Sequence, residues 1–136
     1  MNIAVCIDDR GGMEFHQRRQ SMDRAVRADL IGMLCGAKLW MSTRSFRQFE
    51  DEAYPIAADE GFLAKARPGD FCFVEDRPLR PWLDRIERMI LYCWNRTYPA
   101  DRYLDIDPRT EGWRLEERKE FPGHSHQKIT KEVYSR

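Results

Sequence analysis

Short continuous apolar runs and helix-spaced apolar sets take turns along most of this chain. Asn2–Ile7 is apolar almost throughout and is followed by Asp8-Asp9-Arg10-Gly11-Gly12, so it reads as a strand ending in a turn. A loop is predicted to continue through Phe15, His16, Arg18 and Arg19. Ser21 caps a predicted helix with Asp23 in its first turn; Val26, Leu30, Met33 and Leu34 repeat on one face, and Gly36 ends it. Lys38–Met41 is the next predicted strand, and Ser42-Thr43-Arg44-Ser45 opens a shorter helix bearing Phe46 and Phe49. Tyr54–Ala58 reads as a brief strand that Pro55 places at an edge, and Asp59 caps a helical turn over Glu60–Ala66.

The rest is organised around Phe71–Trp94. Phe71–Val74 is a continuous apolar run after the turn signal Arg67-Pro68-Gly69-Asp70. Leu79, Trp82, Leu83, Ile86 and Ile90 then have the spacing of one helix face, and Met89–Trp94 is apolar again. Continuous strands flanking an amphipathic helix predict a parallel pair joined by a crossover and buried on both faces. Beyond Trp94 only strands follow: Tyr103–Ile106, then Trp113–Phe121 and Gln127–Tyr134, with Phe121-Pro122-Gly123-His124 as the bend of an antiparallel pair. Charged residues dominate these last strands, which predicts a solvated face. The whole predicts a three-layer α/β domain with a mainly parallel central sheet, antiparallel C-terminal strands and helices on both faces.

Composition narrows the partners. The 136 residues suit a single domain over 1–136, and 42% hydrophobic content supports a core. Lys plus Arg and Asp plus Glu number 23 each, so no overall basic field recruits nucleic acid or an anionic membrane; the expected partner is a small-molecule ligand. NIAVCI is too short for the apolar core of a signal peptide and no later segment approaches a membrane span, which makes the cytoplasm the expected location. Cys6, Cys35, Cys72 and Cys93 lie far apart without paired spacing and read as reduced, mostly buried small hydrophobes.

Several residue sets carry candidate chemistry. Asp23 could protonate a substrate through water, and at a helix N-terminus it equally complements the dipole. Ser42, Thr43, Arg44 and Ser45 supply hydroxyls, a guanidinium fork and N–H groups at a helix start, the ingredients of an anion site as well as ordinary caps. Asp8, Asp9, Glu75 and Asp76 follow strands whose carboxyl ends share an edge; solvated turn residues are the preferred reading over a cation site, and no metal is expected. His124 and His126 lack an evident third ligand and are expected to be exposed, and His16, Arg18 and Arg19 to form a surface cluster. An exposed Asp23–Arg27 pair at i, i+4 would contribute about 0.3–0.5 kcal/mol.

The order of elements and several local strings resemble the dihydrofolate reductase family across nearly the whole chain. Ile3-Ala4-Val5-Cys6-Ile7-Asp8-Asp9 leading to Gly12-Met13 is similar to the family's opening strand and mobile loop, and Asp23 falls where the family keeps its acidic pterin-binding residue. Trp40-Met41-Ser42-Thr43-Arg44-Ser45-Phe46 resembles the string M-G-R-x-T-[FWY]. Phe71–Trp94 matches the family's βαβ unit without a gap, and Asp101–Asp107, Trp113-Arg114-Leu115 and Ile129–Tyr134 resemble its closing strands. The resemblance implies a substrate cleft lined by Cys6, Ile7, Asp23, Arg27 and Tyr92, with Asp23 catalytic as the proton-relay residue, and a cofactor-binding set of Ser42, Thr43, Arg44 and Ser45.

Departures from the family fall on the same places. Val74-Glu75-Asp76 stands where the family's glycine run lets the backbone approach a pyrophosphate, so Glu75 and Asp76 disfavour NADPH. The leading glycine of the 42–45 string and the folate-gripping L-P-x-R string are missing, Phe49–Asp59 is shortened, Arg27 replaces an apolar residue, and Tyr92 replaces a small hydroxyl residue. The expected function is that of a diverged member that binds a small anionic or nucleotide-like ligand and has lost standard NADPH-dependent reduction. If the chain is an enzyme, the resemblance implies an NADPH-dependent oxidoreductase acting on a pterin-like substrate with an altered cofactor pose. A third reading is a non-catalytic interaction module whose edge strand pairs with a partner or, in a homodimer, a second copy.

Overall fold

A computed structural model describes all of residues 1–136. Strand β1, Asn2–Ile7, lies in the interior of a seven-stranded sheet, paired in parallel with β6 (Phe71–Val74) on one side and β7 (Arg88–Cys93) on the other. Outward from β6 lie β4 (Leu39–Met41) and the edge strand β5 (Ile56–Ala58), both parallel. Outward from β7 lie β10 (Ile129–Ser135) and the edge strand β9 (Arg114–Phe121), which run antiparallel. This is the mixed α/β sheet that continuous apolar runs at the centre and charged strands at the C-terminus predict.

Both faces of the sheet are covered. On one, α1 (Arg24–Met33) lays Val26 and Leu30 against Ala4, Ile90 and Tyr92, and Phe49 meets Phe73 edge-on with ring centroids 5.1 Å apart. On the other, α3 (Phe62–Lys65) contributes Phe62 and Leu63, which cover Ile3, Val5 and Leu91. Alternate residues of β1 therefore enter opposite cores, the reason its sequence is apolar at every step.

The crossover between β6 and β7 differs from the predicted amphipathic helix. It is a single 3₁₀ segment, Arg80–Arg85, because Pro78 and Pro81 remove two main-chain donors and the chain must still reach β7 within a few residues. Leu79 and Ile86 are buried as their spacing suggested, Trp82 and Leu83 pack partly against the same core, and Ile90 belongs to β7. β6 and β7 do not pair with each other, since β1 inserts between them.

The predicted loop from Asp8 to Arg19 is a ribbon. β2 (Gly12–Phe15) and β3 (Arg18–Arg19) pair across a two-residue turn, His16-Gln17, with φ of 49° and 62°. Positive φ at both positions is the primed hairpin geometry, here adopted by residues other than glycine. β8 (Arg102–Tyr103), shorter than the predicted Tyr103–Ile106 strand, completes this second, three-stranded sheet. Asp59 accepts from the Gly61 N–H and leads into α3, one turn shorter than Glu60–Ala66.

Strand β9 is exposed along nearly its whole length, and its Arg, Glu and Lys side chains guard that edge against further strand pairing. No helix is long and apolar enough to cross a membrane. Leu30 is fully buried under the sheet, so Leu30→Ala is expected to lower the free energy of unfolding by about 2–5 kcal/mol, measured by urea titration followed by far-ultraviolet circular dichroism.

Candidate functional site

Asp23 precedes the first turn of α1 as its N-cap, the position expected of Ser21, and accepts the Ala25 N–H through Oδ1 at 2.8 Å. The same carboxylate collects the connection between β9 and β10. It accepts the N–H groups of His124, Ser125 and His126 at 2.8, 2.9 and 3.1 Å, the Ser125 hydroxyl at 3.2 Å and the His126 Nδ1 at 2.8 Å. Burial opposes its charge, but the hydrogen bonds from His124, His126, Ala25 and Ser125 outweigh that and hold the carboxyl well below the usual carboxylate range. His126 is therefore buried, in contrast to the expected exposure; only His124 faces solvent. The His126 ring stacks on Trp94 at a centroid distance of 4.4 Å.

Of the four acids at the carboxyl edge of the sheet, Asp8 and Glu75 are internal as well, while Asp9 is exposed and Asp76 half-buried. Asp8 accepts from the N–H groups of Arg10, Gly12 and Tyr98 and from Gln20 Nε2. Burial alone would raise its pKa, but these four donors lower it. Glu75 is buried and holds Arg19 through both guanidinium contacts, at 2.9 and 3.1 Å, together with Ser45 Oγ and Gln48 Nε2. Buried Glu14 takes Arg44 and Arg102, each at 2.9 Å. Instead of solvated turn groups, Asp8 and Glu75 are buried acceptors saturated by protein donors.

The 42–45 string forms α2 (Thr43–Phe46) capped by Ser42, whose hydroxyl accepts the Ser45 N–H. Its N-terminus is already occupied by a carboxylate of the chain itself: Glu60 accepts the Thr43 N–H at 2.8 Å and the Thr43 hydroxyl at 2.9 Å. Arg44 turns away from the helix start to Glu14 and to the Gln17 carbonyl, which secures the hairpin turn.

The other implied cleft residues disperse. Arg27 pairs with Glu52 at 3.1 Å instead of with Asp23, because Asp23 is enclosed by the 124–126 main chain. Tyr92 is fully buried and donates to Asp29 at 2.6 Å, with Lys131 2.9 Å from the same carboxylate; burial and then the Asp29 charge push its phenol up. Cys6 and Ile7 sit in β1, and Cys6 faces Tyr92 in register. None of Cys6, Ile7, Asp23, Arg27 or Tyr92 lines any of the five principal cavities. Burial pushes the Cys72 thiol up to about 12 and desolvation pushes Cys93 up to about 11, so neither is poised as a nucleophile.

Two cavities flank the ribbon instead. One, of about 490 Å³, is lined by Phe15, His16, Gln20, Tyr98 and Pro99 together with Arg18 and Arg19. The second, of about 290 Å³, shares Arg18 and Arg19 with it and is completed by Gln17, Arg44 and Arg47. The ion pairs of this corner engage Arg19 and Arg44 and leave Arg18 and Arg47, both exposed, without a carboxylate. Of the residues singled out in the sequence, Arg44, His16, Arg18 and Arg19 come together here. Arg47 and Gln20 went unmarked, and the adjacent arginines 18 and 19 were the available signal.

No family model matches the sequence and no curated protein matches it. Among solved structures, the chain is similar to dihydrofolate reductase from Enterococcus faecalis in complex with NADP(H) and RAB-propyl, with a TM-score of 0.66 and 12% identity over 100% of this chain and 96% of that one. The fold is thus dihydrofolate reductase-like. The residues present do not fit the dinucleotide such a fold implies: a pyrophosphate at the end of β6 would meet Glu75 and Asp76, and Glu60 already takes the donors of Thr43.

Two substitutions test the Asp23 cluster. A Cβ at Gly123 would lie 2.6 Å from the His126 carbonyl oxygen and 2.7 Å from Asp23 Oδ2, so Gly123→Ala is expected to cost about 1–3 kcal/mol of stability. Because folding depresses the Asp23 pKa, its charge contributes fully above its unfolded pKa of about 3.9 and is lost as pH falls through the folded value. The stability gap between wild type and Asp23→Asn in urea titrations should therefore be widest near neutral pH and narrow below about pH 4.

Proposed function

We propose that this dihydrofolate reductase-like fold binds a small anionic, nucleotide-like ligand across Arg18 and Arg19, without NADPH-dependent reduction of the family's kind. The observation that carries the reading is the cavity bounded by Arg18, Arg19, Arg44 and Arg47, in which two guanidiniums lack a carboxylate. Guanidinium forks match phosphate or carboxylate oxygens in pairs, and the two of Arg18 and Arg47, left without a carboxylate around about 290 Å³, favour an anion over a neutral ligand.

The larger neighbouring cavity supplies the other half of such a ligand. Phe15 is 37% exposed, a large apolar surface to leave in water, and with Tyr98 it offers aromatic walls on which a planar base can stack. Gln20 adds an amide to this cavity, and its Oε1 is buried without a hydrogen-bond partner. Arg18 and Arg19 line both cavities, so one ligand can place its charge in one and its ring in the other.

Loss of reduction rests on Glu60 and Glu75, which hold the places where cofactor phosphates would need bare main chain. Calorimetric titration with inorganic pyrophosphate and with nucleoside mono- and diphosphates tests the proposal. At least one nucleotide should bind more tightly than pyrophosphate, and Arg18→Ala and Arg47→Ala should each weaken it about tenfold, roughly 1.4 kcal/mol. Absence of binding by all of them, or oxidation of NADPH by a pterin, would overturn it.

A further inference from the structure

Ser21, His126 and Asp23 stand in hydrogen-bonded series. The Ser21 hydroxyl lies 2.8 Å from His126 Nε2, and Nδ1 of the same ring lies 2.8 Å from Asp23 Oδ2. Asp23 is ionised and surrounded by donors, so in the neutral imidazole Nδ1 donates to Asp23 and Nε2 presents its lone pair to Ser21. Stacking on the buried Trp94 ring, with planes 21° apart, fixes the imidazole plane. Ser21 itself is half-buried and directly follows Gln20, a wall of the larger cavity, while Tyr98 of that wall brings its hydroxyl to 3.4 Å from Nε2. The N–H groups of Ser21 and Met22 donate to no main-chain carbonyl.

A hydroxyl, a base within hydrogen-bond reach and a carboxylate that orients the base form the arrangement that activates a serine oxygen. We propose that Ser21 is a nucleophile for acyl transfer from small carboxylic esters, with His126 as general base and Asp23 as the positioning residue. Ser21 Oγ bonds to the ester carbonyl carbon as its proton passes to His126 Nε2. The carbon–alkoxide bond then breaks and the leaving oxygen takes that proton, which gives acyl-Ser21 and the free alcohol. Water attacks the acyl carbon and yields a proton to His126, which returns it to Ser21 Oγ as the acid departs. Only ester and water are consumed, and no step depends on an anion at Arg18 or Arg47.

Treatment of the full chain with diisopropyl fluorophosphate, followed by peptide mass spectrometry, reads the nucleophile directly, and hydrolysis of p-nitrophenyl acetate reads turnover. The expected result is one phosphoryl adduct, on Ser21, and turnover that falls at least about a hundredfold in Ser21→Ala. Ser21→Ala should keep the wild-type circular dichroism, with only a small fall in urea midpoint, because the buried His126 Nε2 loses the Ser21 hydroxyl but keeps the Tyr98 hydroxyl 3.4 Å away. Labelling confined to other residues, no labelling, or unchanged turnover in folded Ser21→Ala overturns the proposal. Nucleotide titration of the same variant separates this site from the arginine cavities.

Discussion

Four carboxylates, Asp8, Glu14, Asp23 and Glu75, are buried, and a charge taken out of water is tolerable only when donors surround it. Each gathers donors from parts of the chain that are remote in sequence. Asp23 binds the start of α1 to the β9–β10 connection, Glu14 binds the ribbon to α2 and β8, Glu75 binds the end of β6 to β3, and Asp8 binds the end of β1 to the 98–99 segment. The loops above the sheet are positioned by these needs more than by apolar packing.

Much of the sheet was legible because burial on both faces demands apolar residues at every position, as in Asn2–Ile7, Phe71–Val74 and Met89–Cys93. The dominance of charged residues in Trp113–Phe121 likewise marked a solvated face there. The crossover was misread because Leu79, Trp82, Leu83 and Ile86 satisfy a helical period, whereas Pro78 and Pro81 shorten the element without changing which side chains turn inward. The ribbon was hidden because His16 and Gln17 occupy turn positions that ordinarily advertise themselves as Asn-Gly.

The candidate site was less legible than the fold, for a physical reason. Position in a sequence indicates which residues reach an edge of the sheet, but not whether they meet solvent or one another. Asp23 stood out for its place before the first helix, yet its surroundings come from Gly123–His126, a hundred residues on in the chain, and only the folded structure brings them together. Glu60 over Thr43 is the same lesson, since a local string that looks ready for an anion is closed by a side chain from the next connection. Arg18 and Arg19 show the reverse: a pair that reads as ordinary surface charge divides into one residue engaged by Glu75 and one left without a carboxylate.

Strand β1 precedes in sequence both strands that flank it, and its neighbours β6 and β7 exist only once the chain has been made through Val74 and Cys93. Until then NIAVCI, apolar toward both cores, has no partner to shield it. Such long-range pairing slows acquisition of structure and leaves a sticky strand open in the nascent chain. A ribosome-bound fragment stopping before Arg88 would thus be the state most in need of a chaperone.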